Sequence, residues 1–209
     1  MRIKAINGAA LSPIACTILG KDSKKPIPMT KISPGTLQNQ LIGLLKQNAS
    51  PDVIAQKAQE AADAAIAVTL PAFLPPELTN FTCRQSCGHC CRQSSIQIEE
   101  ADALLLASVT GRSVNYAPIA KSQWQGKACV FLDANDNCSV YSHRPLTCRA
   151  SLSLDDPDRC RTEESRKMFP IQTVFEALTV GIKKDAVLAE RYISSRGKEA
   201  DIREFFPPA

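Results

Sequence analysis

The sequence predicts a mainly α-helical protein with a short β-hairpin and an irregular, metal-stabilised, cysteine-rich core packed by helices. Three observations lead to this class. Apolar residues recur at helical spacing in several stretches, and two short apolar runs around a polar turn are typical of a hairpin. Eight of the nine cysteines lie between positions 83 and 160. The 209 residues are enough for one domain with its own core.

The predicted domain organisation has three parts. Residues 1–35 form a flexible N-terminal arm, because the lysine- and proline-rich stretch 21–34 disfavours regular structure. Residues 36–200 form a single helical domain that contains the cysteine cluster at 80–160. Residues 201–209 form a C-terminal tail.

Helices are predicted on both sides of the cluster. From Leu37, leucines recur at i, i+4, i+7 and i+8, which places them on one face of a first helix. Ser50-Pro51-Asp52 has the residues of a helix start, and an alanine-rich second helix follows to about Leu70. Glu99–Thr110 predicts a third helix that ends at Gly111.

The downstream half combines the predicted hairpin with more helix. Cys129–Leu132 is a short apolar strand, 133–137 has turn-forming residues, and Cys138–Tyr141 returns antiparallel. This hairpin carries a cysteine on each arm. The apolar spacing over 174–192 predicts one long helix or two in sequence.

The cysteines indicate the chemistry of the protein. Clustered thiols serve either as disulfides or as thiolate ligands of a soft metal. A disulfide framework requires an oxidising compartment and is typical of smaller domains, and a vicinal Cys90–Cys91 bridge would be strained. The sequence therefore predicts a cytoplasmic protein with a metal centre. The predicted metal ligands are Cys83, Cys87, Cys90, Cys91, Cys129, Cys138, Cys148 and Cys160.

The spacing leaves the identity of the metal open. Cys87-x2-Cys90 suits zinc and iron equally. We expect the side chains of adjacent Cys90 and Cys91 to diverge, so that they serve different metals or different irons of one cluster. Eight thiolates fill two zinc sites, or four hold a 4Fe–4S cluster while the others bind zinc or stay structural. We expect the iron–sulfur cluster rather than zinc.

Two arginines flank one of the downstream thiols. Arg144 and Arg149 lie on either side of Cys148, and Pro145 fits the first turn of a short helix. Cations at this place stabilise negative charge on sulfur or on a bound carboxylate, so both are candidate cofactor-binding residues. The alternative is that they are ordinary surface arginines.

Composition limits the classes of partner. The formal net charge of +4 is too small to indicate nucleic acid, and no apolar run is long enough to cross a membrane. The nine glycines do not group into a phosphate- or dinucleotide-binding loop. We therefore expect neither nucleic acid nor membrane as a partner, and a protein partner is left open.

These motifs resemble the YkgJ-like cysteine-cluster family of zinc- or iron-chelating proteins. That family combines a CxxCxxCC cluster with Cys-x-Phe-Leu, Cys-x-x-Tyr and Arg-Pro-x-x-Cys-Arg segments, which correspond here to Cys83–Cys91, Cys129–Leu132, Cys138–Tyr141 and Arg144–Arg149. The first pair of cysteines is separated by three residues instead of two. The resemblance implies a bound metal and no settled activity.

Three function classes remain open. The flagellin lysine N-methylases, which resemble this chain through the cysteine cluster, imply an S-adenosylmethionine-dependent protein lysine methylase with an iron–sulfur centre. A structural zinc module that presents the helices to a partner is the other alternative to a metal-binding cluster protein. Cys83-x3-Cys87-x2-Cys90 is also the spacing of radical S-adenosylmethionine enzymes, but the chain lacks their long run of strand–helix units.

Overall fold

The computed structural model describes residues 33–69, 72, 87–92, 95–154 and 169–208. The predicted mainly α-helical class is confirmed. Short 3-10 turns at Cys90–Arg92, Lys121–Gln123, Tyr141–His143 and Ile182–Lys184 connect the regular elements. The helices are α1 (Pro34–Lys46), α2 (Pro51–Thr69), α3 (Glu100–Thr110), α4 (Leu146–Ala150), α5 (Ile171–Thr179), α6 (Ala186–Arg196) and α7 (Ile202–Phe205), and the strands are β1 (Gln97–Glu99) and β2 (Glu199–Asp201).

Most of the predicted N-terminal arm lies outside the described residues, as do Cys16, Cys83 and Cys160. The last two positions of the arm already belong to α1. The Ser33 hydroxyl accepts a hydrogen bond from the Thr36 backbone N–H at 3.2 Å and so caps this helix.

The predicted first and second helices form the helical region together with α5 and α6. Leu41 and Leu45 of α1 are fully buried against Ile54 of α2 and Leu188 of α6, as the leucine spacing requires. The Arg191 guanidinium of α6 donates to the last carbonyls of α1 at 3.1 Å. The stretch 174–192 is therefore two helices, of which the second is fixed to α1.

Helix α3 is buried on two sides, one facing α2 and the other facing the core around the cysteines. Ala101 and Leu105 pack against Ala55 of α2. Ala103 and Leu106 face the opposite way, into the core around the thiols. We call that second core the cysteine core. Its buried members are Ile96, Ile98, Ala103, Leu106, Cys129, Phe131, Val140, Ile202, Phe205 and Phe206.

The segment predicted as a C-terminal tail lies in the cysteine core through residue 206. Strand β2 pairs antiparallel with β1, with Ile98 opposite Ala200. Phe205 and Phe206 are buried, and the Phe206 ring meets Phe131 edge-to-face at a centroid distance of 5.1 Å. The boundary expected at position 201 therefore falls inside a strand and does not separate the domain from a tail.

The predicted hairpin over 129–141 is present as a tight turn with a single antiparallel bridge, between Leu132 and Cys138. The extended pair of this part of the fold is β1 with β2. Among the described helices, none has the length and apolar character to cross a membrane.

Candidate metal centre

The end of the cysteine loop, residues 87–92, docks on the turn between Leu132 and Cys138. A Cβ atom at Gly88 would lie 3.0 Å from a Leu132 methyl group and 3.2 Å from an Asp136 carboxylate oxygen, so glycine permits the close approach. Arg92 forms an ion pair with Asp136. The loop therefore lies directly against the turn that ends at Cys138.

Three further cysteines join this loop from distant parts of the chain. The Cys129 backbone N–H donates to the Cys91 carbonyl at 2.7 Å. Cys138 follows across the bridge, and Cys148 stands on α4; both border the cysteine core beside Cys91 and Cys129. The charge of Cys90 acts on Cys129, Cys138 and Cys148, raising the pKa of each, so the five thiols lie within electrostatic reach of one another.

Backbone amides point at two of the sulfurs. Burial raises the pKa of Cys129 to about 11, and the Phe131 backbone N–H opposes this by hydrogen-bonding to the sulfur. Burial likewise raises the pKa of Cys138, and the Val140 N–H opposes it. In both cases the donor is two residues after the cysteine. Such N–H donors stabilise a thiolate, the form that binds metals.

The sulfur atoms of Cys90 and Cys91 lie 3.9 Å apart. The expectation that these adjacent side chains diverge is therefore wrong: the 3-10 turn at Cys90–Arg92 brings both sulfurs to the same side. Their hydrogen bond lowers the pKa of Cys90, which is exposed, and with burial raises the pKa of Cys91. Cys90 consequently loses its proton first. None of the six described cysteines is in a disulfide.

Arg144 lies on the thiol side of the structure. Its guanidinium stacks over the Tyr141 ring, 3.8 Å from the centroid, and its Nε donates to the Tyr141 carbonyl at 3.2 Å. Its charge acts against burial by lowering the pKa of Cys138 and of Cys148, and it also lowers the pKa of Cys90. Arg144 therefore compensates negative charge on three thiols.

Arg149 is directed the other way, into the helical region. It is buried, and it donates to the Arg144 carbonyl at 2.7 Å and to Gln59 of α2 at 3.3 Å. Its carboxylate partner is Asp63 of α2. Arg149 directly follows Cys148, so these bonds attach α4 to α2.

Sequence reasoning missed a buried group next to Cys129. Arg203 and Asp201 form an ion pair in which both side chains are fully buried, and Arg203 lies over the Trp124 ring at 4.8 Å. Arg203 lies in the segment predicted as a tail, and nothing in its sequence neighbourhood indicated burial.

Residues 82–171 match the model of a family described as "CxxCxxCC: Putative zinc- or iron-chelating domain". The resemblance indicated by the motifs is confirmed for this segment. It begins just before Cys83, ends at the first residue of α5, and spans less than half of the chain. No curated protein and no solved structure matches the chain.

The donor set fits a zinc or iron ion in its chemistry. Thiols from the loop, the turn and α4 share one place, amides donate to two of them, and Arg144 balances their charge. Within the described ranges, no three side chains of Cys, His, Asp or Glu converge as ligands of a single ion. Two of the predicted ligands, Cys83 and Cys160, lie outside those ranges, and the eight-cysteine ligand set stays a prediction.

Proposed function

We propose that this chain is a metal-binding protein whose thiol cluster holds zinc or iron, with Cys90 and Cys91 on the same ion. The 3.9 Å separation of their sulfurs carries this proposal. Ligands at about 2.3 Å from a tetrahedral ion stand about 3.8 Å from one another, so the observed pair has the spacing of two ligands of one ion. Cysteines that bind different irons of a cluster stand farther apart.

The remaining thiols supply the other ligands of this site. Backbone amides donate to the sulfurs of Cys129 and Cys138. The charges of these thiols, of Cys90 and of Arg144 all act on Cys148. The bound ion supplies folding free energy to a core that is otherwise held by few regular elements. In this proposal the amides and Arg144 hold the thiolates in the charged form, and the cluster operates in a reducing compartment, the cytoplasm.

A 4Fe–4S cluster is the second candidate, because the spacing Cys87-x2-Cys90 suits iron as well as zinc. Four of the eight cysteines between 83 and 160 are enough to hold one such cluster. Under this alternative, Cys90 and Cys91 do not both ligate the cluster. The S-adenosylmethionine-dependent methylase belongs to this alternative, since it uses an iron–sulfur centre.

Metal and sulfide analysis of anaerobically purified protein tests the proposal. We expect zinc or iron bound to the wild-type chain without inorganic sulfide, and loss of metal from both Cys90→Ser and Cys91→Ser. Cys16→Ser, which removes the one cysteine outside the cluster, should retain the wild-type content. Brown protein with inorganic sulfide favours the cluster instead, and titration with S-adenosylmethionine then tests the methylase. Wild-type protein without zinc or iron would overturn both.

A further inference from the structure

Arg203 and Asp201 are the most deeply buried charged residues among the described parts of the chain. Neither side chain has exposed surface. Arg203 makes a two-pronged contact with Asp201, its Nε and Nη2 lying 2.6 and 2.7 Å from the two carboxylate oxygens. Asp201 also accepts from the Ile96 backbone N–H at 2.7 Å. The pair therefore joins β2, α7 and the residue before β1.

The third contact of Arg203 reaches toward the thiols. Its Nη1 donates to the Lys127 carbonyl at 2.5 Å, and its guanidinium lies over the buried Trp124 ring. Lys127 precedes Cys129 by two residues, and the Cys129 N–H is bonded to the Cys91 carbonyl. Arg203 consequently fixes the chain immediately before one predicted ligand, which is itself fixed to a second.

General stability is a poor reason for this arrangement. Removing two charges from water is costly, and apolar residues of similar volume often replace a buried ion pair without loss of stability. An apolar residue at 203 would, however, contribute no donor to the Lys127 carbonyl and no positive charge near Cys129. Arg203 supplies this donor, at 2.5 Å from the Lys127 carbonyl, and brings its positive charge to the segment that leads into Cys129.

We propose that Arg203 is a positioning residue of the metal centre, which sets Cys129 in place as a ligand from outside the segment that matches the family. This inference rests on the proposed function, because it requires a metal at the thiols. The metal-binding unit of this chain then extends from the cysteine loop to α7 and is not confined to residues 82–171.

Arg196 provides a matched control for the substitution. It is an arginine with a carboxylate partner, Glu99, and it lies over an aromatic ring, Tyr192, at 5.6 Å. It ties α6 to β1 and donates to no carbonyl next to a cysteine in the described structure. Arg203→Met and Arg196→Met both remove an arginine with one carboxylate partner and one aromatic ring beneath it, but only Arg203 is fully buried and only Arg203 contacts the chain just before Cys129.

The experiment compares these variants in full-length protein loaded with zinc or with Co²⁺. Transfer of zinc to a chromogenic chelator should be 10-fold to 100-fold faster for Arg203→Met than for wild type and Arg196→Met. In the Co²⁺ protein, the thiolate charge-transfer absorption of Arg203→Met should weaken to the level of Cys129→Ser. A residue that only supports the fold would lower the melting temperature without reducing that absorption.

Arg203→Lys covers the case in which Arg203→Met does not fold. Lysine keeps the charge next to Asp201 but cannot reach both carboxylate oxygens and the Lys127 carbonyl, so zinc release should still be at least 10-fold faster. Release from Arg203→Lys at the wild-type rate would overturn the inference while the proposed function stands. Wild-type protein that binds neither zinc nor Co²⁺ would instead overturn the proposed function.

Discussion

The helical region and the cysteine core differ in their secondary structure and in the side chains that form their cores. The helical region uses helices of 9 to 19 residues, and its core is mostly aliphatic: Leu41, Leu45 and Val174 are each at most 1% exposed. The thiol side of the cysteine core uses 3-10 turns, a single bridge and a helix of five residues. Thiols line the border of this core, and two of its backbone N–H groups, those of Phe131 and Val140, hydrogen-bond to sulfur.

The two regions therefore depend on different interactions for their stability. Burial of apolar side chains on long amphipathic helices holds the helical region, with no need of a ligand. In the cysteine core, burial raises the pKa of Cys129, Cys138 and Cys148, so the thiols are unfavourably placed as thiolates until a cation joins them. We therefore expect the two regions to respond differently to removal of metal.

Loss of metal should produce the largest effect. A structural zinc site contributes on the order of 10 kcal/mol of apparent folding free energy, so chelation, or the double substitution Cys87→Ser/Cys90→Ser, should unfold the cysteine core. Hydrogen exchange resolved by residue is the measurement. Amides over 129–150 should lose protection, while those of α1 and α2 keep most of theirs.

Equal loss of protection in both regions would show that they form one cooperative unit. Unchanged metal content in the double variant would contradict the assignment of these two cysteines as ligands. Cys16→Ser is the control and should leave both metal content and exchange as in wild type.

A substitution in the helical region should show the opposite pattern. Leu41 of α1 has no exposed surface, so Leu41→Ala removes buried methyl groups and leaves a cavity. We expect the free energy of unfolding to fall by about 2 to 5 kcal/mol, with the metal content unchanged. Denaturant unfolding and metal analysis of the same sample measure both. If Leu41→Ala stayed fully folded but lost metal, the helical region would have to shape the thiol site directly.

The same contrast explains how much of the structure the sequence indicated. Helices α1, α2 and α3 were predictable because their apolar spacing and their end residues are local signals, such as the left-handed Gly111 after α3. The cysteine pattern likewise identified the thiol site, since ligand spacing within the loop is local. The structure brings Cys129, Cys138 and Cys148 to the same core as Cys91 of that loop, while Cys160 lies outside the described residues.

Most of the features that were missed depend on partners far away in sequence, and one depends on local backbone geometry. Strand β1 has three residues and is defined by pairing with β2, about 100 positions later. Phe205 and Arg203 looked like parts of a tail because the residues that bury them lie in other segments. The 3.9 Å approach of the Cys90 and Cys91 sulfurs depends on the local 3-10 geometry, which residue type alone does not specify.

Substitution of the two arginines that flank Cys148 should affect different properties: metal affinity for Arg144 and stability for Arg149. Arg144→Ala removes a charge that faces three thiols, so metal affinity should fall by roughly 10-fold to 100-fold in a chelator competition. Arg149→Ala removes buried bonds to Gln59 and Asp63, so it should lower the free energy of unfolding by about 1 to 3 kcal/mol with a smaller effect on affinity. Equal losses of metal affinity in Arg144→Ala and Arg149→Ala would contradict the assignment of Arg144 to the thiols and of Arg149 to the helical region.

The smallest expected effect lies at Asp102 on α3, the helix that both regions share. Burial raises the pKa of this carboxyl to about 6 from 3.8, although Gln59 donates to it at 2.8 Å. Between about pH 4 and pH 6 the folded chain therefore binds a proton more tightly than the unfolded chain. The contribution of Asp102 to the free energy of unfolding consequently falls as the pH rises through this window.

Asp102→Asn removes the titration and keeps the shape of the side chain. From pH 5 to pH 7, the stability of the metal-loaded wild type should decline by about 1 kcal/mol relative to that of the variant, as a pKa raised by about two units requires. Glu60→Gln, at an exposed ion pair on α2, is the control and should run parallel to wild type. The comparison uses differences between proteins with the same thiols, so any common change in metal binding cancels. Parallel curves for wild type and Asp102→Asn would show that the carboxyl is solvated in solution and that α3 does not seal the boundary between the two regions.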